Sequence, residues 1–310
     1  MSNVKLLYGR GELSVDLPET SDVTLIRKPR MPRLADPSLA VEPTLSNPTA
    51  STILKNHAKN AKTACILICD ITRPVPNSLI LGPIIRKLMT LGIQSEQITI
   101  LIATGLHRPN EGKELEELIG DPWVLENAKV ENHFARDDSA HIEVGITKKG
   151  NRILLDRRFV SADVRIVTGL VEPHFMAGYS GGRKVIAPGV AHAETITTFH
   201  SARYMEDPLA TNCNLDGNPL HEDQLEIVEM VGGALSMNVV IDEFRNLSFI
   251  NFGEIISSHL EAVAFIRKYA EVKVPRRFKT VLTSCAGHPL DLTYYQTVKG
   301  MVGPLDILDK

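Results

Sequence analysis

The sequence predicts an α/β protein whose mostly parallel sheet forms an N-terminal Rossmann-like domain. Three observations carry this. Several short apolar runs are continuous rather than alternating, as strands buried on both faces require. Helix-period segments separate them. Polar residues cluster directly after each run, where open α/β sheets bind ligands.

The first strand is TACILICD, which ends at Asp70. An apolar-periodic helix is expected over Asn77 to Leu91, then a strand over Gln97 to Thr104, completing a βαβ unit. Further strands are expected at Arg165 to Leu170 and at Val239 to Ile241, with helical stretches at Leu115 to Ile119 and Leu220 to Gly232. Ahead of this unit, VKLLYG and ELSVDL read as a hairpin, followed by a Pro-rich connection from Lys28 to Pro48, and residues 1–50 together read as a leader or domain-covering arm. Behind it, a helix over Ile256 to Tyr269 leads to a strand at Thr280 to Ser284, the loop CAGHPLD and a helix from Leu292. These divide the chain into an α/β cofactor-binding domain, 1–262, and the beginning of a second, apparently truncated α/β domain, 263–310.

The bulk composition narrows the function. With 310 residues, 43% apolar and 23% charged, the chain can bury one large core or two moderate ones. A net charge of -3 provides no basic field for nucleic acid or an anionic membrane surface, so a small-molecule partner is expected. The four cysteines include no CxxC pair, which argues against a disulfide framework and for a reducing compartment. Cys65 and Cys69 would face the same side of a strand about 13 Å apart, too far to share a metal, and read as core. No stretch has the length of a signal peptide or membrane span, so the cytoplasm is the expected location.

The strand ends bring together Asp70-Ile71-Thr72-Arg73, His107-Arg108, His174, and then a Gly-rich turn with Lys184 and His200. Any one of these has an ordinary structural reading as a cap, an ion pair or a surface charge. Their coincidence points to a site. GYSGGRK is not a phosphate loop, because Arg183 and Val185 break the GK[ST] pattern. The turn would instead let backbone approach a ligand closely, and a Lys184 desolvated beside Arg183 would become nucleophilic. Three histidines, His107, His174 and His200, also admit a zinc centre with an open position, as in a hydrolase. The residues alone do not separate these chemistries.

The motifs DITRPVP, ATGLHRP, EPHFMAGYSGGRKVIAPGVA, TTFH and GHPLDLTYYQTVKG, in that order, resemble the signature of the lactate racemase family. That resemblance implies racemisation or epimerisation of a 2-hydroxy carboxylic acid by proton-coupled hydride transfer. It implies a nickel ion held by a pyridinium-3,5-bisthiocarboxylic acid mononucleotide, the nickel-pincer nucleotide. By position Lys184 resembles its covalent tether and His200 the nickel ligand, a soft-donor square-planar set. Asp70, Ile71, Thr72 and Arg73 resemble the cofactor-contacting segment. His107 and His174 resemble the paired acid/base residues, and Arg73, Gln296 and Lys299 those that hold substrate. Dedicated cofactor-biosynthesis enzymes would then be required as partners. Members of the family continue about a hundred residues beyond the YYQTVKG helix, so an inactive truncated paralogue is the other alternative to a racemase.

Overall fold

The computed structural model describes residues 2–309, and of Ser2, Tyr295 and Gln296 the backbone alone. An exposed hairpin opens the chain, β1 (Ser2–Tyr8) paired antiparallel with β2 (Gly11–Leu17). The central sheet contains β3 (Ala64–Cys69), β4 (Ile98–Ala103) and β5 (Lys129–Asn132). A second hairpin, β6 (His141–Ile146) with β7 (Arg152–Asp156), stands outside it. Next come β8 (Val164–Leu170), the two-residue pair β9 (Pro173–His174) and β10 (Gly178–Tyr179), then β11 (Leu235–Ile241) and β12 (Leu247–Glu254).

The six-stranded sheet runs β12-β11-β8-β3-β4-β5, parallel throughout except for β12, which lies antiparallel on β11. From β3 the chain builds outward through β4 to β5, then returns to the other side of β3 for β8. The order therefore reverses beside β3, and the crevice beyond the carboxyl ends of β3 and β8 is where such a sheet takes a ligand.

The period-two alternation of β3 supplies both faces of the core. Ala64, Ile66 and Ile68 enter one apolar cluster with Ile80, Ile84 and Leu88 of the helix Asn77–Thr90. Cys65 and Leu67 enter the other, with Val185, Ile186 and Phe199. Cys69 is half-buried, packs against both clusters and also lines the cleft beyond the strand, so of the two strand cysteines only Cys65 is a core residue.

The expected Lys28 to Pro48 arm is built into the domain. Val41 and Leu45 are fully buried. The Leu34 amide donates to the Leu247 carbonyl at 2.9 Å, and that of Thr49 to the Phe252 carbonyl at 2.8 Å. The arm thus caps β12, whose free edge would otherwise offer unpaired backbone groups.

The strand expected at Thr280 to Ser284 does not form. Its stretch has no strand beside it to complete a ladder, and only the single bridge Phe278 to Leu308 occurs nearby. The helix expected from Leu292 forms as Tyr294–Val302. The expected division at 262/263 falls inside the helix Ile255–Ala270, whose Ala262, Val263 and Ile266 share one cluster with Val240 and Tyr179. We propose that any second unit begins after that helix.

Candidate active site

Beyond the ends of β3, β4 and β8 lies a cleft of about 540 Å³. It is lined by Asp70, Thr72, Arg73, His107, His174, Lys184, His200 and Lys299. Every predicted site residue is there except two. Ile71 turns its side chain onto the core and its amide toward Asn110 Oδ1 at 3.3 Å. The side chain of Gln296 lies outside the described residues.

The turn after β3 is held by its own acid. Asp70 is buried, accepts from the Thr72 hydroxyl at 2.6 Å and from His107 Nδ1 at 2.5 Å. Burial would raise its pKa, but the His107 and Thr72 hydrogen bonds win and keep it below the usual carboxylate value. Arg73, three residues on, reaches Glu172 at 3.3 Å. Glu172 was not singled out from the sequence, although its place directly after β8 was the available signal.

The three histidines are held in definite tautomers by their Nδ1 partners. His107 Nδ1 donates to a carboxylate, so its Nε2 carries the lone pair. His200 Nδ1 donates to the Ile196 carbonyl at 2.8 Å, leaving Nε2 likewise a lone-pair donor. His174 is the reverse: its Nδ1 accepts from the Met176 and Ala177 amides, both at 3.2 Å, which places the proton on Nε2. Burial, with Lys184 next, pushes His174 well below its ordinary pKa and keeps it neutral.

The Gly-rich turn lies flat on β8 because of paired glycines. A Cβ on Gly169 would stand 3.0 Å from the Gly181 Cα, and one on Gly181, at φ +78°, would stand 2.7 Å from a Val171 methyl. This close approach aims the short helix Arg183–Ile186 into the site. Lys184 is pushed down to about 7, by burial first and Arg73 second. Arg183, the neighbour expected to dominate, is a lesser contributor. Lys299, on the helix Tyr294–Val302, is pushed down to about 6 by burial, Arg73 and Lys184, and its Nζ lies 6.0 Å from the centre of the Phe175 ring. Three basic groups thus crowd one cleft, each opposing the charging of the others, a conflict that a bound anion would relieve.

Arg183 itself is fully buried. It donates to His221 Nδ1 at 2.7 Å and to the Ala177 carbonyl at 2.9 Å, tying the turn to the helix Pro219–Met230. No local pattern signals this, since an arginine without a carboxylate nearby in the chain reads as a surface residue.

The zinc alternative loses its ligand set. Among the described residues no three His, Cys, Asp or Glu side chains come together as a metal site, so His107, His174 and His200 share a cleft without forming a three-histidine centre.

The sequence matches the lactate racemase N-terminal domain over residues 8–212. It is 32% identical over 303 residues to a lactate racemase of Thermoanaerobacterium thermosaccharolyticum, covering 97% of this chain and 70% of that one. The chain belongs to the lactate racemase family. A lactate racemase of Lactiplantibacillus plantarum is 33% identical over 261 residues, and those residues span 84% of this chain and 61% of that protein's length. The fold agrees with the structure of the Thermoanaerobacterium lactate racemase apoprotein at a TM-score of 0.89 and 30% identity, covering 99% of this chain and 72% of the other. A crystal structure of a Thermotoga maritima protein shares the fold at a TM-score of 0.66 and 21% identity, covering 78% of this chain and 61% of that one. Among the described residues of this family member, no helix is long and apolar enough to cross a membrane.

Proposed function

We propose that the protein interconverts the stereoisomers of a 2-hydroxy carboxylic acid, with lactate as the reference substrate, on a nickel-pincer nucleotide tethered to Lys184. The observation that carries this reading is the composition of one cleft: two histidines in opposite tautomers, a buried lysine with a pKa near 7, and the basic side chains of Arg73 and Lys299.

The residues present fit the group. A Lys184 amine with a pKa near 7 is substantially uncharged and nucleophilic at neutral pH, as an attachment point must be. His200 offers an oriented Nε2 lone pair, its other nitrogen fixed by the Ile196 carbonyl, which is how a histidine ligand is ordinarily held. With no cluster of protein ligands beside it, this histidine suits a metal whose remaining donors come from a cofactor. When bound, that group supplies a reversible hydride acceptor for C2 of the substrate.

The chain's own residues do the rest. Arg73 and Lys299 bind the carboxylate, whose charge returns Lys299 to its ammonium form. His107 Nε2 accepts the hydroxyl proton, and Asp70 stabilises the imidazolium that results. Neutral His174 donates a hydrogen bond from Nε2–H to the same oxygen, and the His107 imidazolium returns the proton when hydride comes back to C2. Removing the proton from oxygen avoids forming a carbanion at a very weakly acidic C–H.

The test is protein co-produced with cofactor-biosynthesis enzymes. A nucleotide-sized adduct on the Lys184 peptide, about one nickel per chain, and loss of optical rotation from D- or L-lactate are expected. An unmodified lysine with no interconversion of either enantiomer would overturn the reading.

A further inference from the structure

Among the described residues, two carboxylates line the cleft and the smaller pocket that shares Arg73 with it, Asp70 and Glu172. They are held differently. Asp70 has both oxygens engaged, Oδ1 by the Thr72 hydroxyl and Oδ2 by His107 Nδ1. Glu172 meets Arg73 through one oxygen, 3.3 Å from Nη1.

That contact is unlike the ion pairs that brace the fold. Arg108 grips Glu114 through two nitrogens, each at 2.7 Å, and Arg158 meets Asp156 at 2.6 Å. A charge-assisted N–H···O bond runs about 2.7–2.9 Å, so the pair of Arg73 and Glu172 is a single, loose contact of a guanidinium that has five donors. The backbone of Glu172 is nevertheless fixed. The Ser180 amide donates to the Glu172 carbonyl at 2.9 Å and the Glu172 amide to Ser180 Oγ at 3.1 Å, fastening the residue to the Gly-rich turn. Its side chain is 32% exposed, against 14% for Arg73, and so can turn toward water while the guanidinium stays in place.

The charges give this separation a consequence. Arg73 depresses both Lys184 and Lys299, and Glu172 acts on both in the opposite sense. A substrate carboxylate between Arg73 and Lys299 would act as Glu172 does, and two anions against one guanidinium repel each other. Given the carboxylate site proposed above, on which this inference rests, we infer that Glu172 is a resident competitor of the substrate carboxylate for Arg73, a positioning residue that holds the guanidinium and yields it when substrate binds. Its charge thereby lowers the affinity of the site and favours product release.

Titration calorimetry of the cofactor-free protein with D- and L-lactate tests this. Glu172→Gln keeps the shape and the backbone hydrogen bonds but removes the charge. It should bind lactate about fivefold more tightly than the parent, a gain limited by the solvent around the side chain. Glu172→Asp keeps the charge and should stay within about twofold of the parent. An unchanged or weaker affinity in Glu172→Gln, or an equal gain in Glu172→Asp, would overturn the assignment, since a pair that merely braces Arg73 predicts a loss in the first variant. A second readout needs no lactate: the pH midpoint of Lys184 acylation should fall by about 0.3 unit or more in Glu172→Gln. Lactate bound by neither parent nor variant would remove the 2-hydroxy acid reading, and the Lys184 midpoint would then decide for Glu172 by itself. A fall would keep Glu172 as the counter-ion of Arg73, and an unmoved midpoint would remove it.

Discussion

His107 and Asp70 are joined at 2.5 Å across the ends of two adjacent parallel strands, β4 and β3. The carboxylate fixes which ring nitrogen carries the proton and awaits the charge that develops on the ring. Asp70→Asn keeps the shape and removes that charge, so turnover should fall by about 10²- to 10⁴-fold. Polarimetry on fully loaded variant and parent checks this; equal rates would show that the Asp70 charge does not assist His107.

Replacing His107 or His174 with Ala should lower turnover by orders of magnitude, about 10²-fold or more. Lactate enantiomers are isoenergetic, so kcat/KM must fall by the same factor in both directions, whereas kcat alone is free to fall unequally. Steady-state assays from each enantiomer would show the effect, and near-full activity in either variant would remove that histidine from the mechanism.

The Lys184 amine should react with a small acylating reagent along a pH profile with its midpoint near 7, far below that of an ordinary lysine. Peptide mass spectrometry after brief labelling of the cofactor-free protein at a series of pH values measures it. A midpoint near 10 would mean that the amine is solvated.

These predictions concern residues that the sequence already exposed, and the reason is physical. The strands β3, β4 and β8 are buried on both faces, so they stand out as the runs ACILIC, ITILIA and VRIVTGL, and the polar residues after them fall at the sheet's ligand-binding edge. The strand β5, KVEN, was missed because a half-exposed edge strand needs few apolar residues. The hairpin β6 and β7 was missed as well, its alternation broken by a bulge at Gly145. Thr280 to Ser284 was misread in the opposite sense: VLTS has strand composition but no neighbour to pair with. Arg183 and Glu172 depend on partners distant in sequence, which no local pattern records.

Asp156 is fully buried between Arg158, at 2.6 Å, and His133, at 3.1 Å. Burial alone would raise its pKa, yet the hydrogen bonds from Arg158 and His133 hold it well below the carboxylate range. Asp156→Asn should destabilise the fold by about 2–3 kcal/mol at pH 7, less than a wholly enclosed pair because Arg158 reaches solvent. For a depressed carboxylate the contribution is complete above the unfolded value of about 4 and is lost as pH falls through the folded one. Urea unfolding should therefore show the gap between parent and variant closing below about pH 4; a constant gap would contradict the assignment.

Arg183→Leu should cost about 3 kcal/mol, since the Ala177 carbonyl and His221 Nδ1 both lose a buried donor. Burial, and then the Arg183 charge, push His221 down to about 3. The folded state resists protonating this histidine, so stability is lost as pH falls below about 6.5. NMR titration should find His221 nearer its ordinary value in the variant, and an unmoved resonance would mean that the guanidinium is not its neighbour in solution.

The paired glycines Gly169 and Gly181 have a consequence for heredity. Neither carries a reactive group, yet any side chain at either would push the lysine-bearing turn off its strand. In a lineage released from selection, a change at either glycine would be enough to silence the site, with the histidines and lysines still legible. A descendant could keep every reactive residue of the site and still be unable to perform its chemistry, and an inventory of those residues alone would not reveal it.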